Sequence, residues 1–259
     1  MDLGIAGRKA IVCASSSGLG RACAKALAQA GCDVVINGRD RERVVATAAE
    51  LRQATGGRIT AVAADVGTPQ GQKALFEACP EPDILVNNNA GPPFRNFREL
   101  DRQKLLDGVV ANMIVAVELT QKAIDPMIAE KFGRIVNITS GSVKMPLPGL
   151  DLSSGARAGL TAFFAGVARS VAAANVTINF LLPGVFATDR LNSYVETTAK
   201  NKGISREAAL AERIATVPAR RVGEPDEFGA ACAFLCSAHA GYNTGQNLLM
   251  DGGVFPGAF

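Results

Sequence analysis

Short apolar runs alternate along this chain with amphipathic segments of ten or more residues, the pattern of repeated strand–helix–strand units. The apolar runs predict strands over 9–13, 33–37, 59–63, 84–88, 134–138, 177–182 and 247–250. The amphipathic segments predict helices over 18–30, 41–53, 70–78, 102–130, 154–173 and 225–236. Strands and helices in this alternation imply a doubly wound α/β fold, a seven-stranded parallel sheet with helices on both faces. The right-handed crossover rule then leaves few ways to connect it. From 188 to 217 the pattern breaks into polar helical pieces bearing Lys, Arg and Glu, with no strand. Long excursions of this kind usually serve function or motion. No repeat, low-complexity tract or linker divides the chain, so one domain over 1–259 is expected.

Composition narrows the class. The 259 residues are 48% apolar and 20% charged, which suits a packed globular protein and not a disordered one. A net charge of +3 without a block of basic residues argues against nucleic acid as partner. The N-terminus, Met1-Asp2-Leu3-Gly4-Ile5, has no basic region followed by an apolar core, and no apolar run reaches membrane-spanning length. A cytoplasmic protein without a membrane partner is therefore expected. The six cysteines show no C-x-x-C spacing and His239 is the only histidine, so no metal site is expected and Ser-His-Asp chemistry starts poorly.

The first strand and first helix are joined by Cys13-Ala14-Ser15-Ser16-Ser17-Gly18-Leu19-Gly20. A dinucleotide's pyrophosphate needs backbone N–H donors at a helix N-terminus and glycines that permit close approach. Gly18 and Gly20 meet that need, and Ser15, Ser16 and Ser17 offer hydroxyl donors. Ala14 puts a Cβ at the tight turn, which is tolerated if φ stays negative.

This loop is one of seven signposts in a fixed order. The others are Asn88-Asn89-Ala90-Gly91, Asn112, Ser140, Asn179, Pro183-Gly184 with Thr188, and Asp251-Gly252-Gly253. On these the chain, from Lys9 to Gly253, resembles the short-chain dehydrogenase/reductase superfamily, and within it the 3-oxoacyl-(acyl carrier protein) reductase-like members. The resemblance implies a Rossmann-like domain, a nicotinamide cofactor and a carbonyl or alcohol substrate, with the 188–217 segment lying over the substrate as a lid. It implies that Asp65-Val66 contacts adenine, that Asn88, Ala90 and Gly91 line the cofactor's path, and that Thr188, after Pro183 and Gly184, holds the carboxamide. Asn88 serves equally well as a brace between strands. At the end of the second strand, an NAD site places a carboxylate for the ribose diol and an NADP site a cation for the 2′-phosphate. Here Gly38 stands at the carboxylate's position and Arg39 follows, so NADP(H) is favoured over NAD(H).

Against that resemblance the catalytic centre is altered. The family's tyrosine follows its serine by about thirteen residues and a lysine follows four later; here those positions read Ser153 and Arg157, and the chain's only tyrosines are Tyr194 and Tyr242. Reduction of a carbonyl leaves an alkoxide that needs a proton and an oxyanion-stabilising donor. Of the family's four positions Asn112 and Ser140 remain. Serine is a far weaker acid than a phenol, and arginine stays protonated, though it can still donate to ribose hydroxyls. Three accounts compete. A water held by Ser153, Asn112 and Arg157 protonates the product; the protein is a catalytically silent NADP(H)-binding sensor or assembly partner; or Asp151, Lys144 or Tyr194 replaces the tyrosine.

The substrate is not legible. Its walls are expected to include Pro92, Pro93, Phe94, residues 143–150, Phe186 and the segment 191–194, largely apolar. The resemblance implies a homodimer or homotetramer built on the helices 102–130 and 154–173. The second of these carries the small residues Gly159, Ala162, Gly166, Ala168 and Ala172, as close packing between helices requires.

Overall fold

The computed structural model describes residues 1–91 and 94–258. Its sheet is all-parallel, in the order β3-β2-β1-β4-β5-β6-β7. The strands are β1 (Lys9–Val12), β2 (Asp33–Gly38), β3 (Ile59–Ala63), β4 (Ile84–Asn87), β5 (Gly133–Ile138), β6 (Val176–Pro183) and β7 (Asn247–Met250). Side chains alternate across each strand, so β1 feeds two cores. Ala10 and Val12 face α1 (Gly18–Gln29), α2 (Arg41–Thr55) and α9 (Pro225–Cys236), packing with Leu27, Val44 and Phe228. Ile11 faces α3 (Pro69–Ala78), α5 (Val115–Ala129) and α6 (Asp151–Val171), packing with Leu75, Leu119 and Phe164.

Local chemistry sets the helix ends. Asp40 caps α2 by accepting from Arg43 N at 3.1 Å, and Gly56 closes it in the left-handed region at φ 68°. Thr68 caps α3, and Pro69 follows at its first turn, where a missing N–H costs nothing. Two elements differ from the expected pattern. The predicted helix 102–130 is divided into α4 (Arg102–Val109), one wide π turn (Val110–Ile114) and α5, with Asn112 on the wide turn. The predicted helix 154–173 starts at Asp151, which brings Ser153 onto α6.

The chain winds outward from β1 through β2 to β3, then returns to β4 beside β1 and proceeds the other way. The loops after β1 and β4 therefore part at the carboxyl edge, the crevice where such sheets hold ligands. The 188–217 segment forms α7 (Asp189–Lys202) and α8 (Arg206–Ala215), both helical as expected. Its base is closed by hydrogen bonds from Ala187 N to Gly223 O and from Gly223 N to Val185 O, both 2.9 Å. Among the described residues no helix is long and apolar enough to cross a membrane.

Candidate active site

The loop after β1 is braced from both sides. Ala14 N donates to Asn37 Oδ1 at 3.3 Å, and its carbonyl accepts from Asn88 Nδ2 at 3.1 Å. These bonds hold Ala14 at φ 45°, so the condition under which its Cβ is easily tolerated is not met; an L-residue in this region costs roughly 1–2 kcal/mol. Gly20 is obligatory here, because a Cβ would lie 2.5 Å from Ala14 O and 2.9 Å from Asn88 Nδ2. Gly18 N through Gly20 N form the first turn of α1, and Leu19 packs against the core below. The three serines diverge. Ser15 is fully buried; its hydroxyl donates to Val12 O at 2.6 Å and accepts from Asn37 N at 2.9 Å, so it is not a ligand donor as expected from sequence. Ser16 turns toward Gly38, and Ser17, the residue before α1, has no side-chain cap bond. The loop thus offers the N–H groups of α1 and the hydroxyls of Ser16 and Ser17.

At the end of β2, a Cβ on Gly38 would lie 2.6 Å from Ser16 Oγ and 2.7 Å from Val44 Cγ2, so this backbone leaves no room for an acidic side chain. Arg39 beside it is exposed. Asp65 folds back on its own turn, accepting from Gly67 N at 2.8 Å, while Val66 is buried in the core. Asn88 acts as the brace already described. Asn89 Nδ2 donates to Ala111 O at 3.2 Å and its Oδ1 accepts from Ala90 N at 2.8 Å, which ties the loop bearing Ala90 and Gly91 to the wide turn of Asn112.

Arg157 organises the centre. It is 8% exposed, and Nη1 donates to Ile138 O at 2.8 Å and Thr139 O at 2.9 Å, the carbonyls just before Ser140. Nε donates to Ser153 Oγ at 3.3 Å, which occupies one face of that hydroxyl. Burial, and then the charge of Arg190, lower Arg157 to about 10, so it keeps its proton at neutral pH. Ser140 Oγ accepts from Ser142 N at 3.1 Å and retains its own hydrogen to donate. Beneath Arg157 lies a cavity of about 20 Å³, lined also by Asn87, Asn112 and Asn137 but not by Ser153. Asn112 Nδ2 donates to Gly108 O at 3.0 Å, whereas Asn112 Oδ1 and Asn87 Oδ1 are buried without a hydrogen-bond partner among the described residues. Of the three residues expected to hold a water in the tyrosine's place, Asn112 and Arg157 line this cavity and Ser153 does not.

Thr188 stands across the groove from α1, its Cγ2 3.9 Å from where a Cβ on Gly18 would lie. Pro183 ends β6, and Gly184 packs against Asp251, where a Cβ would lie 2.7 Å from Asp251 Cα; Asn179 ties β6 to Asn243 and Gln246 before β7, and Asp251 holds the turn after β7 by accepting from Gly253 N and Phe255 N. The three alternative proton donors are engaged or turned outward. Lys144 Nζ lies 5.9 Å from the Phe255 ring centroid, the Tyr194 ring carries the Arg213 guanidinium at 5.2 Å, and Asp151 is exposed at the first turn of α6. Of the expected walls, Phe94 is exposed and Phe186 is buried against Phe228; Pro92 and Pro93 lie outside the described residues. A larger cleft of about 470 Å³ adjoins Ser16–Gly18 and Thr188. Its charges are mutually paired, Arg21 with Glu50, Lys25 with Asp226 and Arg43 with Asp189, and it does not reach Ser140 or Arg157. Two residues stand out that the sequence did not single out: Arg190, whose Nη1 comes to Gly91, and Arg43, which reaches Asp189 across the groove. The only signal for either was a cation close to a recognised position.

Residues 13–255 match the family described as enoyl-(acyl carrier protein) reductase. Similar proteins include the NADPH-dependent reductase BacG of Bacillus subtilis (strain 168), 29% identical over 95% of this chain and 97% of that protein. The 3-oxoacyl-(acyl carrier protein) reductase FabG of Aquifex aeolicus (strain VF5) is 30% identical over 98% of this chain and 100% of that protein. In three dimensions the fold is similar to L-sorbose reductase from Gluconobacter frateurii, solved in complex with NADPH and L-sorbose. The TM-score is 0.94 at 29% identity, covering 99% of this chain and 100% of that one.

Proposed function

Because this chain belongs to the short-chain dehydrogenase/reductase superfamily, we propose that it is an NADPH-dependent reductase of a carbonyl substrate whose product is protonated through water instead of a tyrosine. The observation that carries this reading is the buried Arg157, fixed on the carbonyls before Ser140 and lining a small cavity with Asn87, Asn112 and Asn137. The cofactor cradle fits a dinucleotide: α1 presents its N-terminal N–H groups, and Gly20 sits where a Cβ would strike the loop. Arg39, beside a Gly38 that excludes a carboxylate, is the residue for the 2′-phosphate.

When bound, the reduced nicotinamide supplies the hydride. Ser140 donates its hydroxyl hydrogen to the carbonyl oxygen and holds the alkoxide that forms. Arg157 keeps a positive charge beside that oxygen. The cavity of about 20 Å³ is the size of one water, and the free Oδ1 atoms of Asn87 and Asn112 are the acceptors that would orient it. That water gives the alkoxide its proton, and the hydroxide left is neutralised from solvent. Without a positioned phenol the step forfeits about 10²–10⁴ in rate. Turnover is therefore slow, with Ser140 and cofactor positioning supplying what remains. The segment 188–217 covers the substrate, and the chain assembles as a homodimer or homotetramer.

Titration with NADPH and NADH, followed by NADPH oxidation over a panel of ketones and aldehydes, tests the reading. NADPH should bind more tightly, and turnover should be slow and fall further in Ser140→Ala and Asn112→Ala. Arg39→Ala should weaken NADPH by about 1.5–3 kcal/mol, the value of hydrogen bonds to a charged group, and spare NADH. The second reading, a silent NADP(H)-binding sensor or assembly protein, is favoured by Ser153 and Arg157 standing at the positions of the family's tyrosine and lysine. Tight NADPH binding with no turnover on the whole panel would establish it.

A further inference from the structure

Two guanidinium groups from different elements converge on one point. A Cβ on Gly91 would lie 2.9 Å from Arg190 Nη1, on α7, and 3.5 Å from Arg157 Nη2, on α6. Among the described residues neither arginine has a carboxylate within ion-pair distance. Asp189, the acid next to Arg190 in sequence, is committed to Arg43 at 2.7 Å. In Arg157, Nε and Nη1 are spent on Ser153 and the β5 carbonyls, which leaves Nη2 facing Gly91 with no hydrogen bond among the described residues. A buried cation facing a second cation is an unfavourable arrangement unless an anion joins them.

We infer that Arg157 and Arg190 form a subsite for a ligand's anionic oxygens, a carboxylate on the substrate or a phosphate of the cofactor. Planar guanidinium forks match both groups. The geometry favours the carboxylate. Phosphate has its own cradle at the N-terminus of α1, whereas Arg157 is seated on the carbonyls of Ile138 and Thr139, directly before Ser140. Because Ser140 directly follows those carbonyls, the inference assigns the carboxylate on the arginines and the carbonyl on Ser140 to one substrate, a 2-oxo or 3-oxo acid. This deepens, and rests on, the proposal that Ser140 receives a carbonyl.

Calorimetric titration of acetoacetate and of its methyl ester into the protein with NADP⁺ tests the subsite without requiring turnover. The acid should bind about 10- to 100-fold more tightly than the ester, as a charged hydrogen-bond pair requires. In Arg190→Gln that ratio should collapse toward one, and in Arg190→Lys part of it should remain. Arg190 is exposed, so the variants should fold, which circular dichroism checks. A loss of NADPH affinity in Arg190→Gln, with no acid preference in the native protein, assigns the same subsite to a cofactor phosphate. The inference is overturned if the native protein treats acid and ester alike and Arg190→Gln leaves NADPH affinity unchanged, or if a preference for the acid survives Arg190→Gln. Acid-selective binding without NADPH oxidation would keep the subsite and discard the reductase; turnover without either effect would do the reverse.

Discussion

Arg157 does what a lysine could not. Its guanidinium bonds two backbone carbonyls and a serine hydroxyl at once and still presents a free edge, whereas an ammonium is a point charge with no such fork. Arg157→Lys alone should therefore loosen the end of β5 without restoring chemistry, and Ser153→Tyr alone would supply a phenol with no ammonium to lower its pKa. The double variant, Ser153→Tyr with Arg157→Lys, should gain up to roughly 10²–10⁴ in turnover on any carbonyl the native protein accepts, with each single variant well below it. Steady-state NADPH oxidation measures this; a double variant slower than native protein points to a different acid. Individual side chains were the least legible part of the sequence. Nothing in Ser15-Ser16-Ser17 announces that the first hydroxyl turns inward to Val12 and Asn37, and Ala14 at φ 45° follows from tertiary bonds to Asn37 and Asn88.

Helices and strands were far more legible, because burial on both faces of a parallel sheet writes each strand as an apolar run. The 59–63 and 247–250 strands and the 225–236 helix have the ends that the pattern predicts, and the other strands differ by a residue at one or both ends. The wide turn at Val110–Ile114 left no such mark. It contains neither Gly nor Pro to mark an interruption, so 102–130 reads as one continuous helix although Asn112 sits on a break. Charge governs the start of α9. Glu227 Oε2 accepts from Glu224 N at 2.8 Å, and both its oxygens bond Arg221 at 2.7 Å. The Arg221 guanidinium, and then the Glu224 N–H, hold Glu227 down at about 2, from an ordinary value of 4.5. A depressed carboxyl stabilises the fold above its unfolded pKa and loses that contribution as pH falls through the folded one. Glu227→Gln should thus lower Tm at neutral pH, and the difference from native protein should fade between about pH 4.5 and 2. A gap that persists at the acid end would separate the effect from this carboxylate.

At the scale of the molecule, two cores on opposite faces of the sheet leave α4, the wide turn and α6 with apolar residues in solvent. Leu105, Leu106, Val110, Ile114 and Phe163 are all exposed. On α6, Gly166 has nothing among the described residues within 4 Å of its Cβ direction, so a second helix could approach there; Ala168, expected on the same surface, belongs instead to the core at 0% exposure. This face is where a second copy should pack. Sedimentation at micromolar concentration should show no dominant 26.9 kDa species, and Phe163→Asp should produce one. The ion pair between Arg43 and Asp189 has a different reach. It joins α2 to the first residue of α7 across 146 positions of sequence, with 51% and 74% of the two side chains in solvent. So exposed a pair contributes only about 0–1 kcal/mol, and salt screens it. A fastening that weak opens readily, so breaking it should speed the exit of NADPH only modestly. Stopped-flow dissociation of NADPH should accelerate as ionic strength rises, and Arg43→Ala should start modestly faster and lose much of that salt dependence.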